Sequence, residues 1–468
     1  MSIDCLVIGS GPGGYAAAFR ASDLGMKVTL IEKYPELGGV CLNVGCIPSK
    51  ALLHVSELIN AHKDYEMFGL ECDQPVVNKK KLLDFKSKLV KKLSGGLSML
   101  AKKRKVEVIQ GEAKFSTPDA VEVTGADGKS QEIKFKQCII ATGSRPIQLG
   151  FLPDDPRIID STGALELPVT KGKMLIIGGG IIGCEMATVY QAMGMQVTIC
   201  EMLDQIMPGA DIDLVQPCQK RLQSEGIEII TQAKVKEVTA QQKQLKVSIE
   251  MPDGSEKSFA YDLILQAVGR VPNADKLNLE ACGVQTDDRG FIQINPKSLK
   301  TTNDKILAIG DIVGGAMLAH KAAAQGKVAA EIVAGKKVIY DVKVIPSVAY
   351  TNPEVAWVGL TELEANRKGV AFEKGVFPWA ANGRSLCMGR QEGLTKLIFD
   401  PNTKRVLGGG ICGEHAGDLI AELTLAIEMG CRIEDIALTV HPHPTLSETI
   451  GQAAEVSEKT IVDLYLAK

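Results

Sequence analysis

An apolar strand, a glycine-rich turn and a helix recur twice in this chain with the same internal spacing. IDCLVI leads into GSGPGG near the N-terminus, and MLII leads into GGGIIG further along. The glycines that match G-x-G-x-x-G are Gly9, Gly11 and Gly14 in the first copy and Gly178, Gly180 and Gly183 in the second. In each copy a second apolar strand ends in an acidic residue, Glu32 or Glu201, 18 residues beyond the last motif glycine.

The repeat predicts two dinucleotide-binding units, because strand, glycine turn, helix and acid occur together in register. The glycines permit a tight turn and let the backbone approach a pyrophosphate, to which the helix N-terminus offers its unpaired N–H groups. The acid accepts hydrogen bonds from ribose hydroxyls. A single glycine motif is weak evidence, but two copies predict an α/β chain with two Rossmann-like domains.

The residues around each copy indicate which dinucleotide it binds. Glu201 suits the 2′-hydroxyl of NAD and would repel the 2′-phosphate of NADP, and the following MLDQIM has no arginine for that phosphate. NAD is therefore expected at the second copy. The first copy precedes a cysteine pair, and FAD is the dinucleotide that exchanges electrons with both a nicotinamide and a disulfide. FAD is therefore expected there.

The cysteine pair lies in GGVCLNVGCIPSK, where Cys41 and Cys46 are five residues apart. A structural disulfide is disfavoured in a reducing compartment. A metal site would need further paired ligands, and only His54 is near in sequence, so no metal is expected. A redox pair is favoured, with a helix N-terminus and Lys50 promoting the thiolate.

A helix that carries both cysteines must be distorted. Residues five apart in a regular helix have Cα atoms roughly 8.7 Å apart, whereas a disulfide needs less than about 7 Å. We expect the distortion at Asn43, Val44 or Gly45.

A candidate acid–base residue lies near the C-terminus, in HPHPTLSE. Prolines on both sides make an extended segment around His443, and Glu448 could hold its imidazole in one tautomer. His441 is the rival candidate in the same loop. From spacing alone, a surface-loop histidine is as good an interpretation as a catalytic one.

Three further segments bear on the arrangement of the domains and on cofactor binding. ATGSRP and AVGRVPN are interpreted as crossings between the first two domains. ILAIGD ends on Asp311, which could bind the flavin ribityl chain or serve as a helix cap or turn residue. We predict an FAD-binding domain over 1–145 and 271–340 and an NAD-binding domain over 146–270. Residues 341–468 mix strands and helices and predict a separate α+β domain.

Bulk composition excludes several classes of partner. The formal net charge of −3 over 468 residues gives no reason to expect nucleic acid or an anionic membrane. No apolar run reaches the roughly 18 residues of a membrane helix, and the N-terminus lacks a signal-peptide pattern. We expect a cytoplasmic protein in which most of the 12 cysteines are buried hydrophobes.

These motifs together resemble the dihydrolipoamide dehydrogenases, the E3 flavoproteins of the 2-oxoacid dehydrogenase complexes, within the pyridine nucleotide–disulfide oxidoreductases. GSGPGG, GGVCLNVGCIPSK, ATGS, GGGIIG, AVGR, AIGD, AHKA and HPHPTLSE occur in the family's order. The resemblance implies oxidation of dihydrolipoyl groups with reduction of NAD⁺, through a redox disulfide and FAD. It also implies a homodimer whose interface is the C-terminal α+β domain, and a partner in the dihydrolipoyl domain and E2 core of such a complex.

The resemblance implies residue roles as well. Cys46 matches the sulfur beside the flavin, Cys41 the thiol that exchanges with substrate, His443 the base, supplied by the other subunit, and Glu448 its partner. Positions that correspond to FAD contacts are Glu32, Lys33, Lys50, Ala113, Thr142, Gly143, Ser144, Asp311 and Ala319. Positions that correspond to NAD contacts are Glu201, Val235 and Gly269.

The chain departs from the family at Val40, where threonine is usual, at Pro442, where alanine is common, and at Ala323-Ala324-Gln325, where acidic residues are frequent. None of these changes removes a reacting atom. The alternatives are a glutathione-reductase-like or other disulfide reductase, which Glu201, IPSK and AHKA disfavour, and a non-catalytic flavin and NAD sensor, which the retained cysteines and His443 disfavour. Mercuric reductase is disfavoured because DLYLAK has no cysteine pair.

Overall fold

The computed structural model describes residues 3–73 and 75–466. Its helices are α1 Pro12–Asp23, α2 Gly39–Val44, α3 Cys46–Ala61, α4 Lys79–Lys103, α5 Ser161–Ala164, α6 Ile181–Ala192, α7 Ile212–Ser224, α8 Ala319–Val333, α9 Glu362–Lys368, α10 Gly383–Cys387, α11 Ala416–Met429, α12 Ile433–Ala437 and α13 Glu448–Glu458. Its strands are β1 Ile3–Ile8, β2 Val28–Glu32, β3 Glu107–Gln110, β4 Glu112–Thr117, β5 Ala120–Thr124, β6 Ser130–Ile140, β7 Ser144–Pro146, β8 Ile158–Ile159, β9 Gly172–Ile177, β10 Met195–Cys200, β11 Glu228–Ile230, β12 Lys234–Ala240, β13 Leu245–Glu250, β14 Glu256–Tyr261, β15 Leu263–Gln266, β16 Arg270–Pro272, β17 Ile306–Ala308, β18 Ser347–Ala349, β19 Glu354–Gly359, β20 Glu373–Pro378, β21 Leu394–Phe399 and β22 Val406–Gly413.

The chain forms two compact units. The first contains the residues up to Ala51 together with Asn78–Ile147 and Gly269–Asp341, and the second contains Leu52–Val77, Gln148–Val268 and the residues from Val342 onward.

The first unit is built on the parallel strands β3-β2-β1-β6-β17, and β6 continues into an antiparallel ribbon with β5 and β4. Every residue of β2 is buried, as expected for a parallel sheet with both faces covered. Helices α1 and α8 pack closely, since a Cβ on Gly326 would lie 2.4 Å from the Gly13 carbonyl oxygen.

The second unit contains a second parallel sheet, β11-β10-β9-β15-β8, and beside it an antiparallel ribbon, β12-β13-β14. Its C-terminal part is an antiparallel sheet, β18-β19-β22-β21-β20, against which α11 and α13 pack around the buried Trp379. Trp379 donates its indole N–H to Thr395 at 3.0 Å.

The predicted fold class is confirmed: the chain is α/β, with two Rossmann-like parallel sheets and a C-terminal α+β region. The three predicted domain boundaries stay a prediction, since the second unit includes both 148–268 and the C-terminal residues. Within the described residues, no helix is both long and apolar enough to cross a membrane.

Candidate active site

The two glycine loops have the same backbone geometry. Gly9 and Gly178 have positive φ angles of 96° and 106°, which favour glycine. A Cβ on Gly14 would lie 1.8 Å from the Gly9 carbonyl oxygen, and one on Gly183 would lie 2.0 Å from that of Gly178. The first and last motif glycines are therefore required by the turn and by the approach of the helix to the strand.

The middle glycine of each loop faces open space. A Cβ on Gly11 or Gly180 would meet nothing within 4 Å, and both residues precede the first turn of a helix, α1 or α6. Because helix N-termini present unpaired N–H groups, this open side of each loop suits a pyrophosphate. The loops therefore fit the two dinucleotides on their own geometry.

The two acids hold their loops by equivalent hydrogen bonds. Glu32 accepts from the Ser10 backbone N–H at 2.9 Å and from that of Tyr34 at 3.0 Å, and Glu201 accepts from Gly179 at 2.6 Å and Leu203 at 2.8 Å. The repeat seen in the sequence thus extends to individual hydrogen bonds. Both carboxylates are buried, and in each at least one oxygen accepts a single hydrogen bond and keeps a second lone pair for a ribose hydroxyl.

The first loop has an additional donor, because the Ser10 hydroxyl also donates to Glu32 at 2.7 Å. Sequence reasoning did not select Ser10. The signal available was the serine in GSGPGG where the second copy has a glycine.

The segment after β6 lies directly against the first loop. A Cβ on Gly9 would approach the Ala141 carbonyl oxygen to 2.5 Å and the Thr142 Cα to 3.1 Å, and Gly143 has a φ of 66°. The Thr142 hydroxyl oxygen is buried and has no hydrogen-bond partner among the described residues. A buried hydroxyl without a partner is unusual, and a bound polar group would satisfy it.

Ser144 and Asp311 are brought together by the fold. Ser144 donates its hydroxyl to Asp311 at 2.5 Å, and Arg270 donates to the Ser144 hydroxyl and carbonyl oxygens, each at 2.7 Å. Asp311 lies in the 3₁₀ turn Gly310–Val313, and the hydrogen bond from Ser144 orients its carboxylate. Sequence reasoning missed Arg270, although it lies in the quoted AVGR segment, because its partner is 126 residues away.

The remaining cofactor candidates lie at several places. Lys33 is exposed, with its ammonium 4.6 Å from the centre of the Tyr34 ring. Ala113 is buried in β4, Ala319 is the first residue of α8, and Val235 is buried in β12. Gly269 has a φ of 117° and belongs to the first unit, whereas Val235, Glu201 and the second glycine loop belong to the second.

Cys41 and Cys46 lie on either side of a break between two helices. Helix α2 ends at Val44 and α3 begins at Cys46, so the predicted distortion is confirmed and lies at Gly45. A Cβ on Gly45 would lie 2.9 Å from the Val40 carbonyl oxygen and 3.2 Å from the Cys41 Cα. Glycine therefore lets the chain fold back on itself and bring the two cysteines together.

The side chains of Cys41 and Cys46 are in hydrogen-bond contact. This contact raises the pKa of the Cys41 thiol well above its usual range, and burial and the neighbouring sulfur charge raise it further. Lys50 acts in the opposite direction but more weakly. Cys41 is half-buried, and Cys46 is exposed.

His443 and Glu448 form a pair in the second unit. His443 Nδ1 lies 2.8 Å from one carboxylate oxygen of Glu448, whose other oxygen accepts the Thr445 backbone N–H at 2.6 Å. Glu448 is the first residue of α13, and this helix fixes its position. The side chain of His443 is 78% exposed and that of Glu448 is 17% exposed, so the imidazole is oriented but accessible.

The rival histidine has a different environment. His441 is 10% exposed, bonds Glu422 at 2.8 Å and packs on Gly451, whose Cβ would lie 2.9 Å from Nδ1. The hydrogen bond to Glu422 raises the pKa of His441. His441 is therefore packed against its neighbours, and His443 is the histidine that a substrate can reach.

Three carboxylates in the second unit lie close enough to bind a metal ion, those of Asp211, Asp213 and Glu362. The ammonium of the fully buried Lys396 contacts all three at 2.7 to 2.8 Å. Burial alone would lower the pKa of Lys396, but the carboxylates offset this effect and the pKa lies above its usual value. The cluster is an ion-pair network centred on a lysine.

Comparison with known proteins places this geometry in a family. The family model described as pyridine nucleotide-disulphide oxidoreductase matches residues 3–326, and the model of the dimerisation domain of these proteins matches residues 345–454. The dihydrolipoyl dehydrogenase of Vibrio cholerae serotype O1 is 51% identical over 99% of this chain and 97% of its own. That of Haemophilus influenzae is 50% identical over 99% and 96%.

A solved structure has the same fold. The HOCl-induced flavoprotein disulfide reductase RclA from Escherichia coli superposes with a TM-score of 0.86 at 26% identity, covering 97% of this chain and 99% of its own. The full-length match of sequence and fold leads to one conclusion. The chain belongs to the pyridine nucleotide-disulphide oxidoreductases and, within them, to the dihydrolipoyl dehydrogenase family.

Proposed function

We propose that this enzyme oxidises dihydrolipoyl groups and reduces NAD⁺, according to dihydrolipoyl group + NAD⁺ → lipoyl group + NADH + H⁺. The observation that carries the proposal is the pair of contacting cysteines at a helix break, in the unit that also holds the first glycine loop. FAD, when bound, supplies the two-electron relay between a dithiol pair and a nicotinamide.

The chain's own residues hold the two cofactors. We assign the FAD pyrophosphate to the loop of Gly9, Gly11 and Gly14, and that of NAD to the loop of Gly178, Gly180 and Gly183. Glu32 and Glu201 would accept hydrogen bonds from the ribose hydroxyls, for which their remaining lone pairs are available. Asp311 would bind a polyol hydroxyl next to Ser144.

The cysteines perform thiol–disulfide exchange. In the oxidised enzyme Cys41 and Cys46 form a disulfide. A substrate thiolate attacks the Cys41 sulfur, the bond between the cysteines breaks, and Cys46 leaves as a thiolate. The second substrate thiolate then displaces Cys41 and closes the lipoyl disulfide. Cys41 leaves as a thiolate and takes up the proton lost by the second substrate thiol, in agreement with the raised pKa of the Cys41 thiol.

His443 receives the other proton. Because Glu448 holds Nδ1, the atom available for proton transfer is Nε2. Glu448 is a positioning residue, since it fixes the tautomer and orientation of the imidazole as the carboxylate of a catalytic triad does. The dimerisation-domain match supports a homodimer. We further propose that His443 acts on the partner subunit's dithiol, that the enzyme serves the E2 core of a 2-oxoacid dehydrogenase complex, and that it is cytoplasmic.

Steady-state assays test the reaction. Rates with dihydrolipoamide and NAD⁺ should exceed those with NADPH and glutathione disulfide by orders of magnitude. The opposite preference would favour the glutathione-reductase-like alternative and would contradict the assignment of Glu201.

A spectrum tests the role of Cys46. The purified protein should be yellow, and adding dithiol should produce a long-wavelength charge-transfer band that Cys46→Ser abolishes. Cys72→Ser is the matched control, because Cys72 is exposed and lies outside the pair. If the band survived in Cys46→Ser, the sulfur beside the flavin would not be that of Cys46.

A further inference from the structure

Helix α4 is strongly basic in a chain that is slightly acidic overall. It contains nine lysines and one acidic residue, Asp84, whereas the formal net charge of the chain is −3. It contains no arginine. Neither the glycine loops nor the cysteine pair explains this concentration of positive charge.

Four of these lysines form a stripe on the outer surface of α4. At 100° per residue, Lys81, Lys88, Lys92 and Lys103 fall within roughly 60° of arc. All four are exposed, and none of them forms an ion pair within the described part of the chain. We call these four residues the lysine stripe. Their charges therefore face solvent and are not neutralised by neighbouring acids.

The inner face of α4 is used for packing. Leu82, Ser94 and Ala101 are buried, and the neighbouring Leu93 and Leu100 are each 38% exposed. The two most exposed apolar residues of the helix, Phe85 and Met99 at 51% and 53%, lie within the lysine stripe. Apolar residues interleaved with charge differ from a membrane-surface helix, in which the two form opposite faces.

Helix α4 lies beside the helix that carries Cys41. Helix α2, which carries Cys41, packs against α4 within the first unit. A partner bound along the lysine stripe would therefore lie near the segment that reacts with the dithiol substrate.

We propose that the lysine stripe docks the acidic surface of a protein that carries the dithiol substrate. The inference rests on the proposed function and adds to it a recognition surface for the carrier. Lysines act over long range and steer an oppositely charged partner. The absence of arginine disfavours a nucleic acid, because phosphates are bound most specifically by bidentate arginine. A second copy of this chain is disfavoured because the dimerisation domain lies in the second unit.

The test compares two substrates in the holoenzyme. One is a purified lipoyl domain carrying its reduced dithiol, and the other is dihydrolipoamide, which is small and uncharged. Lys88→Glu/Lys92→Glu reverses two charges of the lysine stripe. Lys276→Glu/Lys337→Glu is the matched control, with the same change in net charge at two exposed residues of the same unit.

We expect the stripe variant to lose about tenfold in kcat/KM with the lipoyl domain, the lower end of the range for electrostatic steering. Its rate with dihydrolipoamide should stay within twofold, and the loss should disappear in high salt. An unchanged rate with the lipoyl domain, or an equal loss in the control variant, would overturn the docking proposal.

Two further outcomes distinguish the docking of a protein carrier from the binding of a different polyanion and from a failure of the proposed reaction. The unmodified protein could bind phosphatidylglycerol vesicles or duplex DNA and lose this binding in Lys88→Glu/Lys92→Glu, while the variant's rate with the lipoyl domain stays unchanged. That result would identify the polyanion, and not a protein carrier, as the ligand of the lysine stripe. Failure of the unmodified enzyme to oxidise dihydrolipoamide would instead overturn the proposed function and the docking with it.

Discussion

The second glycine loop offers a test that separates the fold from cofactor binding. In Gly183→Ala the new Cβ would lie 2.0 Å from the Gly178 carbonyl oxygen, whereas ordinary contacts begin at 3.4 Å. The helix must therefore move away by more than an ångström. Alanine gains about 1 kcal/mol of helix propensity over glycine, so any net loss is steric. We expect α6 to be displaced and the protein destabilised by about 1–3 kcal/mol.

Gly180→Ala should have the opposite effect. Its Cβ would meet nothing within 4 Å, and its φ of −69° is ordinary for alanine. The unfolding midpoint should stay at the unmodified value. The added methyl would stand on the open side of the loop, where a pyrophosphate approaches. An overpacking cost of about 1–3 kcal/mol corresponds to a Kd for NADH that is weaker by about fivefold to about 150-fold.

The assays are urea unfolding for stability and calorimetric titration for NADH affinity, with bound FAD as the internal control. FAD content should not change, because the first glycine loop belongs to the first unit. The reasoning would be refuted if Gly180→Ala bound NADH with unmodified affinity, or if it were destabilised as strongly as Gly183→Ala.

Three other predictions follow from the second unit. Glu448→Gln should slow reduction of the enzyme by dithiol about 100-fold or more, because general acid–base catalysis contributes at least that factor. The rate at which NADH reduces an artificial acceptor should stay normal, and an equal loss in both assays would contradict a positioning role. Lys396→Met leaves three carboxylates without their shared ammonium and should lower the free energy of unfolding, measured by chemical denaturation, by about 3–5 kcal/mol. Lys374→Met changes a side chain that is 44% exposed and should lower it by less than about 1 kcal/mol. Equal losses in the two variants would show that burial is not the cause. The hydrogen bond to Glu422 raises the pKa of His441 in the folded state. The full stabilisation from this pair is therefore present when the pH is below the unfolded pKa of about 6.5. That stabilisation is lost as the pH rises through the folded pKa. The difference in thermal midpoint between the unmodified protein and Glu422→Gln should therefore be larger at pH 6 than at pH 9, and a difference independent of pH would contradict the assignment.

Several features of the site were predictable because their causes are local. A positive φ at Gly9 and Gly178 and the close approach of the helices depend on residues a few positions apart, and the spacing of the glycines encodes both. The break near the cysteines followed from helix dimensions alone. The break lies at Gly45 because, of the three residues between the sulfurs named as candidates, only glycine has no side chain to clash with Cys41.

Other features depend on residues that are distant in sequence. The choice between His441 and His443 was open in the sequence, since both lie in one proline-rich loop. It is decided by which carboxylate each meets, and by the packing of His441 on Gly451. The partnership of Ser144 with Arg270 was likewise hidden, because antiparallel pairing of β7 with β16 brings the two together.

The amino-acid sequence by itself determined the two glycine loops, the closely spaced cysteine pair and the α/β class, because each follows from spacing over a few turns of chain. Only the tertiary structure decided which histidine is accessible, that Lys396 is buried among three carboxylates, and that a lysine-rich helix lies against the cysteine-bearing one. Burial and charge pairing depend on which distant segments the sheets bring together, and no local pattern records that.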